Sequence, residues 1–324
     1  MAQAIMLREH GGPEVLRAEE VEVGDPPPGM VRIQQTAIGV NFHDCYVRSG
    51  LYDTLKLPGI PGLEAVGRVT ATGQGVTNIL VGERAAYFTS GYGAYASERL
   101  VHEDLVMRIP DSVGDRIAAA VLLKGMTASM LIHQVQKIGQ GDTILVHAAA
   151  GGVGLLLCQW AKHLGATVIG TAGGPAKVRL AKAAGCDEAI DYKSEDFVAR
   201  VRDITEGRGV NVVYDSVGKD TFYGSMECLA PRGHLVNFGQ SSGPIDPMPV
   251  SMLSKGSYSL TRPMLFHYSN ERDRLLSMAD GLFKALGSKV LRVDSPRAWP
   301  LAEASEAHRA LEARETMGAV ILTV

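Results

Sequence analysis

The most constraining feature of the sequence is a run of small residues, Ala148-Ala149-Ala150-Gly151-Gly152-Val153-Gly154, between two apolar segments. It fits the pattern A-x-G-x-x-G. This spacing permits a tight strand-to-helix turn, lets a pyrophosphate approach the backbone and lets the helix pack closely on the strand. The N-terminus of that helix presents free N–H groups and a positive dipole end to phosphate oxygens. Because an ordinary tight turn has the same pattern, the interpretation depends on the flanking segments.

Downstream of residue 143, short β-type segments alternate with helical ones. Gly165 and Gly185 are placed to end two of the helices, Pro175 to open the second, and Ser194 to cap the third. The alternation predicts a doubly wound parallel sheet, and the glycine run then becomes a dinucleotide site. The predicted strands are Thr143–His147, Thr167–Thr171, Glu188–Asp191, Asn211–Asp215, His234–Phe238 and Ser257–Thr261, and the predicted helices are Val153–Leu164, Pro175–Ala184 and Glu195–Thr205.

The first part of the chain, to about residue 122, has a different texture of short β-rich runs separated by Gly and Pro. A last apolar run, Ala319–Val324, is expected to be a strand that returns to this module. A length of 324 residues suits two domains at about 150 residues each.

Charge and cysteine usage exclude several classes of function. The chain has 32 basic and 35 acidic side chains, a formal net charge of −3, and no basic stripe, so nucleic-acid binding is not expected. Its four cysteines show no C-x-x-C spacing, which favours reduced thiols over a disulfide scaffold or a structural zinc site. The N-terminus lacks an apolar signal segment, and the apolar stretch Thr143–Cys158 is shorter than the ~20 residues that cross a bilayer. We therefore expect a cytoplasmic protein with no membrane association.

The choice of dinucleotide follows from charge. An NAD site usually has Asp or Glu about 20 residues after the glycine loop, on the ribose 2′-OH. No acidic residue occurs between Asp142 and Asp187, and the second strand runs into Gly173-Gly174 followed by Lys177. A carboxylate would repel a 2′-phosphate, whereas a glycine turn with a nearby lysine would accept it. The sequence therefore predicts NADPH.

Two other dehydrogenase plans fit poorly. The short-chain pattern Y-x-x-x-K occurs at Tyr52 and Lys56, but it lies about 100 residues before the glycine loop, outside the nucleotide fold. A β-rich module before a central Rossmann unit resembles the medium-chain dehydrogenase/reductase superfamily, whose zinc members carry ligands that are missing here. Leu63 stands where those members have a histidine ligand, and only His43 and Cys45 remain as candidates. Zinc needs three or four converging ligands, so no metal is expected.

Within that superfamily the chain is similar over nearly its whole length to the zinc-free, zeta-crystallin-like NADPH:quinone reductases. Departures are Met130, where some relatives have tyrosine, and His43 and Cys45, where relatives have an aliphatic residue and threonine. The segments that carry the resemblance are 10–16, Gly39 to Tyr52, Lys124-Gly125-Met126-Thr127, His147 to Gly154, Tyr214 to Gly218, Asn237 to Gly243 and Thr261-Arg262-Pro263. The resemblance implies a GroES-like catalytic domain at 1–122 and 263–324 and an NADPH-binding Rossmann domain at 123–262.

The resemblance also implies site residues. Gly152 and Val153 would lie under the pyrophosphate, and Gly173, Lys177 and Tyr192 would surround the 2′-phosphate. Tyr192 could instead cover a strand end, and Arg314, expected on a surface helix, could be an ordinary solvated charge. The other implied cofactor contacts are Asn41, Thr127, Ser216, Phe238, Ser241, Met264, Leu265 and Phe266.

Catalysis would need a quinone held near the nicotinamide and a donor for its oxygen. Tyr46 and Tyr52 offer O–H donors and apolar ring faces, although both could simply pack their loop. Asn41 is the third candidate catalytic residue. The alternatives are an NADPH-dependent enal or enone double-bond reductase and, in another class, a crystallin-like structural or RNA-binding protein. The sixth Rossmann strand, 257–261, is expected to pair across a two-fold axis in a homodimer.

Overall fold

The computed structural model describes residues 1–324, and the chain forms two compact units. The first comprises Met1–Met126, Ser269–Gly287 and Val293–Val324, and the second comprises Thr127–Tyr268 and Ser288–Arg292. The strands are β1 Ala2–Leu7, β2 Leu16–Val21, β3 Met30–Val40, β4 Glu64–Thr72, β5 Arg84–Phe88, β6 Glu98–His102, β7 Val106–Arg108, β8 Thr143–Val146, β9 Thr167–Ala172, β10 Glu188–Asp191, β11 Val210–Asp215, β12 Leu229–Asn237, β13 Ser259–Thr261, β14 Arg297–Pro300 and β15 Val320–Thr323. The α-helices are α1 Phe42–Ser49, α2 Asp115–Met130, α3 Gly152–His163, α4 Pro175–Ala183, α5 Phe197–Ile204, α6 Phe222–Cys228, α7 Leu265–Tyr268, α8 Arg272–Gly287 and α9 Ala304–Glu312.

The second unit is built on a six-stranded sheet in the order β10-β9-β8-β11-β12-β13, and every pair in it is parallel. This is the doubly wound order, in which the chain reverses direction across the sheet beside β8. The predicted strands are confirmed, although β12 begins earlier and β13 is shorter than expected. Apolar strand residues such as Leu145, Ile169 and Val213 form its core with side chains of α5 and α6.

Helix ends in this unit follow the local signals in most places. Gly165 and Gly185 adopt left-handed φ values of 89° and 102° just after α3 and α4, as predicted. The predicted start of α5 is wrong: the helix begins at Phe197, with Asp196 rather than Ser194 as its cap. The Asp196 carboxylate accepts hydrogen bonds from the backbone N–H groups of Val198 and Ala199, which fixes the first turn.

The first unit contains a seven-stranded sheet in the order β14-β15-β3-β4-β5-β7, with β6 also paired to β3. The final strand β15 runs antiparallel to β3 from the pair Val320–Val40 onward, so the C-terminus does return to the N-terminal module. Its core consists of alternating inward residues such as Ile33, Ile38 and Val69. A short helix, α1, follows β3 directly and carries several candidate site residues.

The segment Asp115–Val135, which is α2 and its continuation, is 21 residues long and apolar enough to cross a membrane by length and composition. In this structure 78% of its most apolar window is buried inside the protein. The apolar stretch Thr143–Cys158 is divided in the structure between β8 and α3.

Candidate functional site

The glycine run forms a tight turn between β8 and α3. The Gly151 N–H donates to the carbonyl of Ala148 at 2.8 Å, and Ala148 itself has a left-handed φ of 52°. A Cβ added to Gly154 would lie 2.3 Å from the Ala148 carbonyl oxygen and 2.8 Å from Ala149 Cα, so only glycine permits this approach. The first N–H groups of α3 have no acceptor within the helix. The residues present therefore fit a dinucleotide pyrophosphate.

The turn after β9 brings Gly173 and Tyr192 together. A Cβ on Gly173 would lie 2.6 Å from the Tyr192 hydroxyl oxygen, so the tyrosine packs directly on the glycine backbone. Tyr192 is 40% exposed, and Gly174 has a left-handed φ of 92°. Lys177 is the third residue of α4, immediately beyond this turn.

Sequence reasoning missed an acidic residue at the same turn. Asp191 ends β10, which lies beside β9, and its Oδ1 accepts the Gly174 N–H at 2.8 Å and the Lys193 N–H at 3.1 Å. The chain directly after β9 contains no acid, and this carboxylate comes from the end of the neighbouring strand. Because parallel strands end at the same edge of a sheet, the end of β10 lies beside the turn after β9. Two backbone donors hold the carboxylate oxygen against the turn.

The turns after β11 and β12 also meet. The Ser241 N–H donates to the Ser216 carbonyl at 3.2 Å, and the Phe238 N–H donates to the Asp215 carbonyl at 2.8 Å. A Cβ on Gly239 would lie 2.6 Å from the Ser216 carbonyl oxygen, so these turns touch backbone to backbone.

Arg262, which belongs to a segment that carries the resemblance but was given no role there, follows β13. Its guanidinium donates to the Gly239 carbonyl at 2.7 Å and to the Asn237 side chain. It thus fixes the turn that contains Phe238. The predicted contacts Met264, Leu265 and Phe266 come next along the chain; Met264 is 48% exposed, whereas Leu265 is buried in α7. Thr127 lies in α2, where the second unit begins.

Asn41 caps α1 in the first unit. Its backbone N–H donates to Asp44 Oδ2 at 2.8 Å, and its side-chain Nδ2 donates to Glu64 Oε1 at 2.9 Å. Glu64 is fully buried, accepts the Leu123 N–H at 2.7 Å, and lies 3.5 Å from the Lys124 ammonium. These contacts fix the orientation of the Asn41 amide.

Tyr46 and Tyr52 lie against each other. Tyr46 is on α1, and Tyr52 follows the helix, with its N–H donating to the Tyr46 carbonyl at 3.0 Å. Their rings meet edge to face with centroids 5.1 Å apart, and Phe42 lies 6.2 Å from Tyr46. The sequence placed both tyrosines on the loop after Asn41, whereas in the structure Tyr46 lies on α1 and only Tyr52 lies beyond the helix.

His43 belongs to the same aromatic cluster. Its ring lies edge-on to Tyr52 at 5.2 Å, and its Nε2 is 3.0 Å from the Tyr92 hydroxyl, which is also bonded to Thr54 Oγ1. Burial lowers the pKa of His43 to about 4, so the imidazole is neutral at pH 7.

A buried polar network lies behind α1. The Tyr95 hydroxyl donates to Asp44 Oδ2 at 3.1 Å and lies 2.9 Å from His308 Nε2. Arg48 forms a bidentate ion pair with Glu312 at 2.8 and 2.7 Å. Burial raises the pKa of Asp44 to about 7; burial, and secondarily Arg48, lower that of His308 to about 3.

No cluster of three or more His, Cys, Asp or Glu side chains in the structure has the arrangement of a metal site. Cys45 contacts His308 at 3.6 Å instead, and burial raises its pKa well above the ordinary value. Arg314 is not on a helix as expected: α9 ends at Glu312, and Arg314 follows it with a left-handed φ of 58°.

The glycine turn between β8 and α3 lies where the strand order of the doubly wound sheet reverses, and a separate β-rich unit precedes it in the chain. Together these two features define a medium-chain dehydrogenase. Two family profiles match the chain, the alcohol dehydrogenase GroES-like domain at residues 27–111 and the zinc-binding dehydrogenase at residues 152–281. The chain is 46% identical to a quinone oxidoreductase of Pseudomonas aeruginosa and 43% identical to a 2-haloacrylate reductase of a Burkholderia species, with 99% of both chains covered in each case. The structure of Escherichia coli quinone oxidoreductase complexed with NADPH matches with a TM-score of 0.97 at 42% identity, covering 100% of both chains.

The chain therefore belongs to the quinone oxidoreductase family of medium-chain dehydrogenase/reductases, as the sequence motifs predicted.

Proposed function

We propose that this chain is an NADPH-dependent quinone reductase that transfers hydride without zinc. The observation that carries the proposal is full-length similarity to a quinone oxidoreductase whose structure contains NADPH, joined to a glycine cradle that excludes any side chain at Gly154. The second compact unit would bind the cofactor, and the first would supply the residues that hold the quinone.

The proposed cofactor contacts begin at the glycine turn. Gly152 and Val153 offer N–H groups of the first turn of α3 to the pyrophosphate. Gly173, Lys177 and Tyr192 are assigned to the 2′-phosphate, and the lack of a side chain at Gly173 allows Tyr192 to pack against this turn. When bound, NADPH supplies the hydride. The remaining proposed cofactor contacts are Asn41, Thr127, Ser216, Phe238, Ser241, Met264, Leu265, Phe266 and Arg314.

Tyr46 and Tyr52 are the proposed quinone contacts. Their edge-to-face packing presents ring surface to a planar substrate and leaves each hydroxyl at the end of a rigid ring. A hydroxyl donor near the quinone oxygen stabilises the negative charge that hydride transfer creates there. Asn41, held by Glu64, completes the set of catalytic candidates.

A second candidate is reduction of a carbon–carbon double bond conjugated to a carbonyl. The 43% identity to a 2-haloacrylate reductase over 99% of both chains favours it. In both reactions the hydride comes from the same donor and negative charge develops on the carbonyl oxygen of the substrate, so the same fold serves either.

A substrate panel decides between them. Initial rates with NADPH and NADH should be measured for 1,4-benzoquinone, 9,10-phenanthrenequinone and a series of 2-alkenals, each with and without a chelator. We expect quinone turnover with a clear preference for NADPH and no effect of the chelator. Turnover of 2-alkenals alone would replace the proposal with the second candidate, and equal KM values for NADH and NADPH would contradict the cofactor assignment.

We also propose that the protein is a cytoplasmic homodimer that pairs through β13. This strand is at one end of the six-stranded sheet, and two of its three residues are exposed, including Leu260 at 38%. Pairing with a second copy would satisfy the open backbone groups of the edge. Light scattering at micromolar concentration should give a dimer mass, and a monomer would count against the pairing.

A further inference from the structure

The aromatic cluster of Tyr46, Tyr52 and His43 contains one side chain, His43, to which the proposed function gives no role. His43 lies on α1 between Asn41 and Tyr46, and its ring meets Tyr52 edge-on at 5.2 Å. Its only hydrogen bond within the protein joins Nε2 to the Tyr92 hydroxyl at 3.0 Å. Nδ1 bonds to no protein atom, and it is not among the buried side-chain nitrogens that lack a partner. Nδ1 is therefore the ring nitrogen of His43 that remains for a bound ligand.

The contacts around Tyr92 select the imidazole tautomer. Tyr92 is bonded to both Thr54 Oγ1 and His43 Nε2, and a phenol has one hydrogen to donate. A phenol is a stronger acid than a neutral imidazole N–H, and an imidazole nitrogen is a stronger base than a phenol oxygen. Tyr92 therefore donates to Nε2 and accepts from Thr54. The ring proton of His43 is then on Nδ1, which becomes a donor.

The charge state of the ring agrees with this arrangement. Burial lowers the pKa of His43 to about 4 and raises that of Tyr92, so both groups are neutral at pH 7. The ionisable side chains that contact the His43 ring are Tyr52 and Tyr92, and Asp44 is its neighbour in the chain. A neutral imidazole is a hydrogen-bond donor that can polarise a carbonyl oxygen.

We propose that His43 is a catalytic residue that donates a hydrogen bond from Nδ1 to the quinone oxygen and delivers the proton that completes reduction. The proposal rests on the quinone reductase function proposed above.

The proton transfers balance with groups that the structure contains. Hydride addition brings two electrons and one hydrogen to the quinone and leaves a hydroquinone monoanion. The Nδ1 proton moves to the anionic oxygen while the Tyr92 hydroxyl proton moves to Nε2, so the ring stays neutral. After the hydroquinone leaves, Nδ1 takes a proton from solvent and Nε2 returns its proton to Tyr92, which restores the starting tautomer. The net consumption is one hydride and one solvent proton for each quinone.

Three substitutions at position 43 separate this role from packing. The Asn side chain places its amide nitrogen near the position of Nδ1, the Gln side chain places its amide near Nε2, and Leu keeps only volume. We expect His43→Asn to keep most of the activity. We expect His43→Gln and His43→Leu to lower kcat/KM for 1,4-benzoquinone by about ten- to a hundredfold, because a donor to developing charge is lost. KM for NADPH should stay unchanged in all three.

Two further measurements do not depend on turnover. Calorimetric titration of the NADP⁺-loaded protein with hydroquinone should show Kd raised about three- to tenfold in His43→Leu and nearly unchanged in His43→Asn, as expected for one neutral hydrogen bond. In ¹⁵N-histidine spectra, the signal lost in His43→Leu should have the Nδ1–H tautomer pattern, and Tyr92→Phe should mix the tautomers.

His133 supplies a matched control, since it also packs edge-on against an aromatic ring, Trp160, at 5.3 Å, but lies in the second unit. His133→Leu should leave all quinone kinetics unchanged. The proposal would be overturned if His43→Asn and His43→Leu lost equal activity in proportion to the fall in their melting temperatures. An Nε2–H tautomer in the wild-type protein would also overturn it. If the wild-type protein reduces no quinone, the proposed function fails; if it does and His43→Leu matches it, only the role of His43 fails.

Discussion

Replacing Gly154 with alanine tests the nucleotide cradle directly. The added Cβ would lie 2.3 Å from the Ala148 carbonyl oxygen, whereas ordinary contact begins at 3.4 Å. The turn and the N-terminus of α3 must therefore separate by about 1 Å, which displaces the N–H groups aimed at the pyrophosphate. Losing one hydrogen bond to a charged acceptor costs about 1.5–3 kcal/mol, so Kd for NADPH should rise about ten- to a hundredfold.

The assay is a fluorescence titration with NADPH, accompanied by a thermal melt of the cofactor-free protein to measure the cost of overpacking, about 1–3 kcal/mol. Gly139→Ala is the matched control, because it lies in the same unit and no atom is within 4 Å of its added Cβ. A folded Gly154→Ala protein whose Kd stays within about threefold of the wild-type value, under 1 kcal/mol, would refute the reasoning.

Three further predictions concern catalysis and stability. Tyr52→Phe should lower quinone turnover by no more than about ten- to a hundredfold, because other donors remain, and a complete loss with intact NADPH binding would contradict this. Burial raises the pKa of Asp44 to about 7, so the folded protein binds a proton there more tightly than the unfolded chain does, and the free energy of unfolding falls as pH rises from about 4 to 7. In Asp44→Asn this fall should be absent when the free energy of unfolding is measured by urea denaturation across the same pH range. Parallel pH profiles for the two proteins would refute the prediction. His308, whose pKa is lowered to about 3, loses its contribution as pH falls below about 6.5 and should do so in both proteins. Gly281→Ala, inside α8 with no atom near the added Cβ, should raise the free energy of unfolding by about 0.5–1 kcal/mol, and a lower urea midpoint would contradict the assignment of an unstrained helical site.

Much of the nucleotide unit could be predicted from the chain because its determinants are local. Buried parallel strands are continuous apolar runs, and Gly165 and Gly185 end helices through left-handed backbone that neighbouring residues cannot easily adopt. The start of α5 was misplaced because Ser194, Glu195 and Asp196 are all compatible with a helix start by composition. Only the geometry of the turn decides which side chain reaches the free N–H groups.

The candidate site divides in the same way. The glycine run depends on residues close in sequence, so spacing was enough to find it. The contact between the rings of Tyr46 and Tyr52 was found only in the structure. Asp191 reaches the Gly174 turn from another strand, which no reading along a single segment reveals.

The sequence by itself determined the class of fold, the dinucleotide cradle and the family, because small residues at fixed spacing and alternating apolar runs depend only on local backbone geometry. The tertiary structure decided the protonation state and the hydrogen-bond partners of the buried polar groups. Burial keeps the His43 imidazole neutral, and its Nε2 contacts the Tyr92 hydroxyl, which in turn contacts Thr54. Desolvation and hydrogen bonding depend on which distant residues surround a group, and only the folded chain brings those residues together.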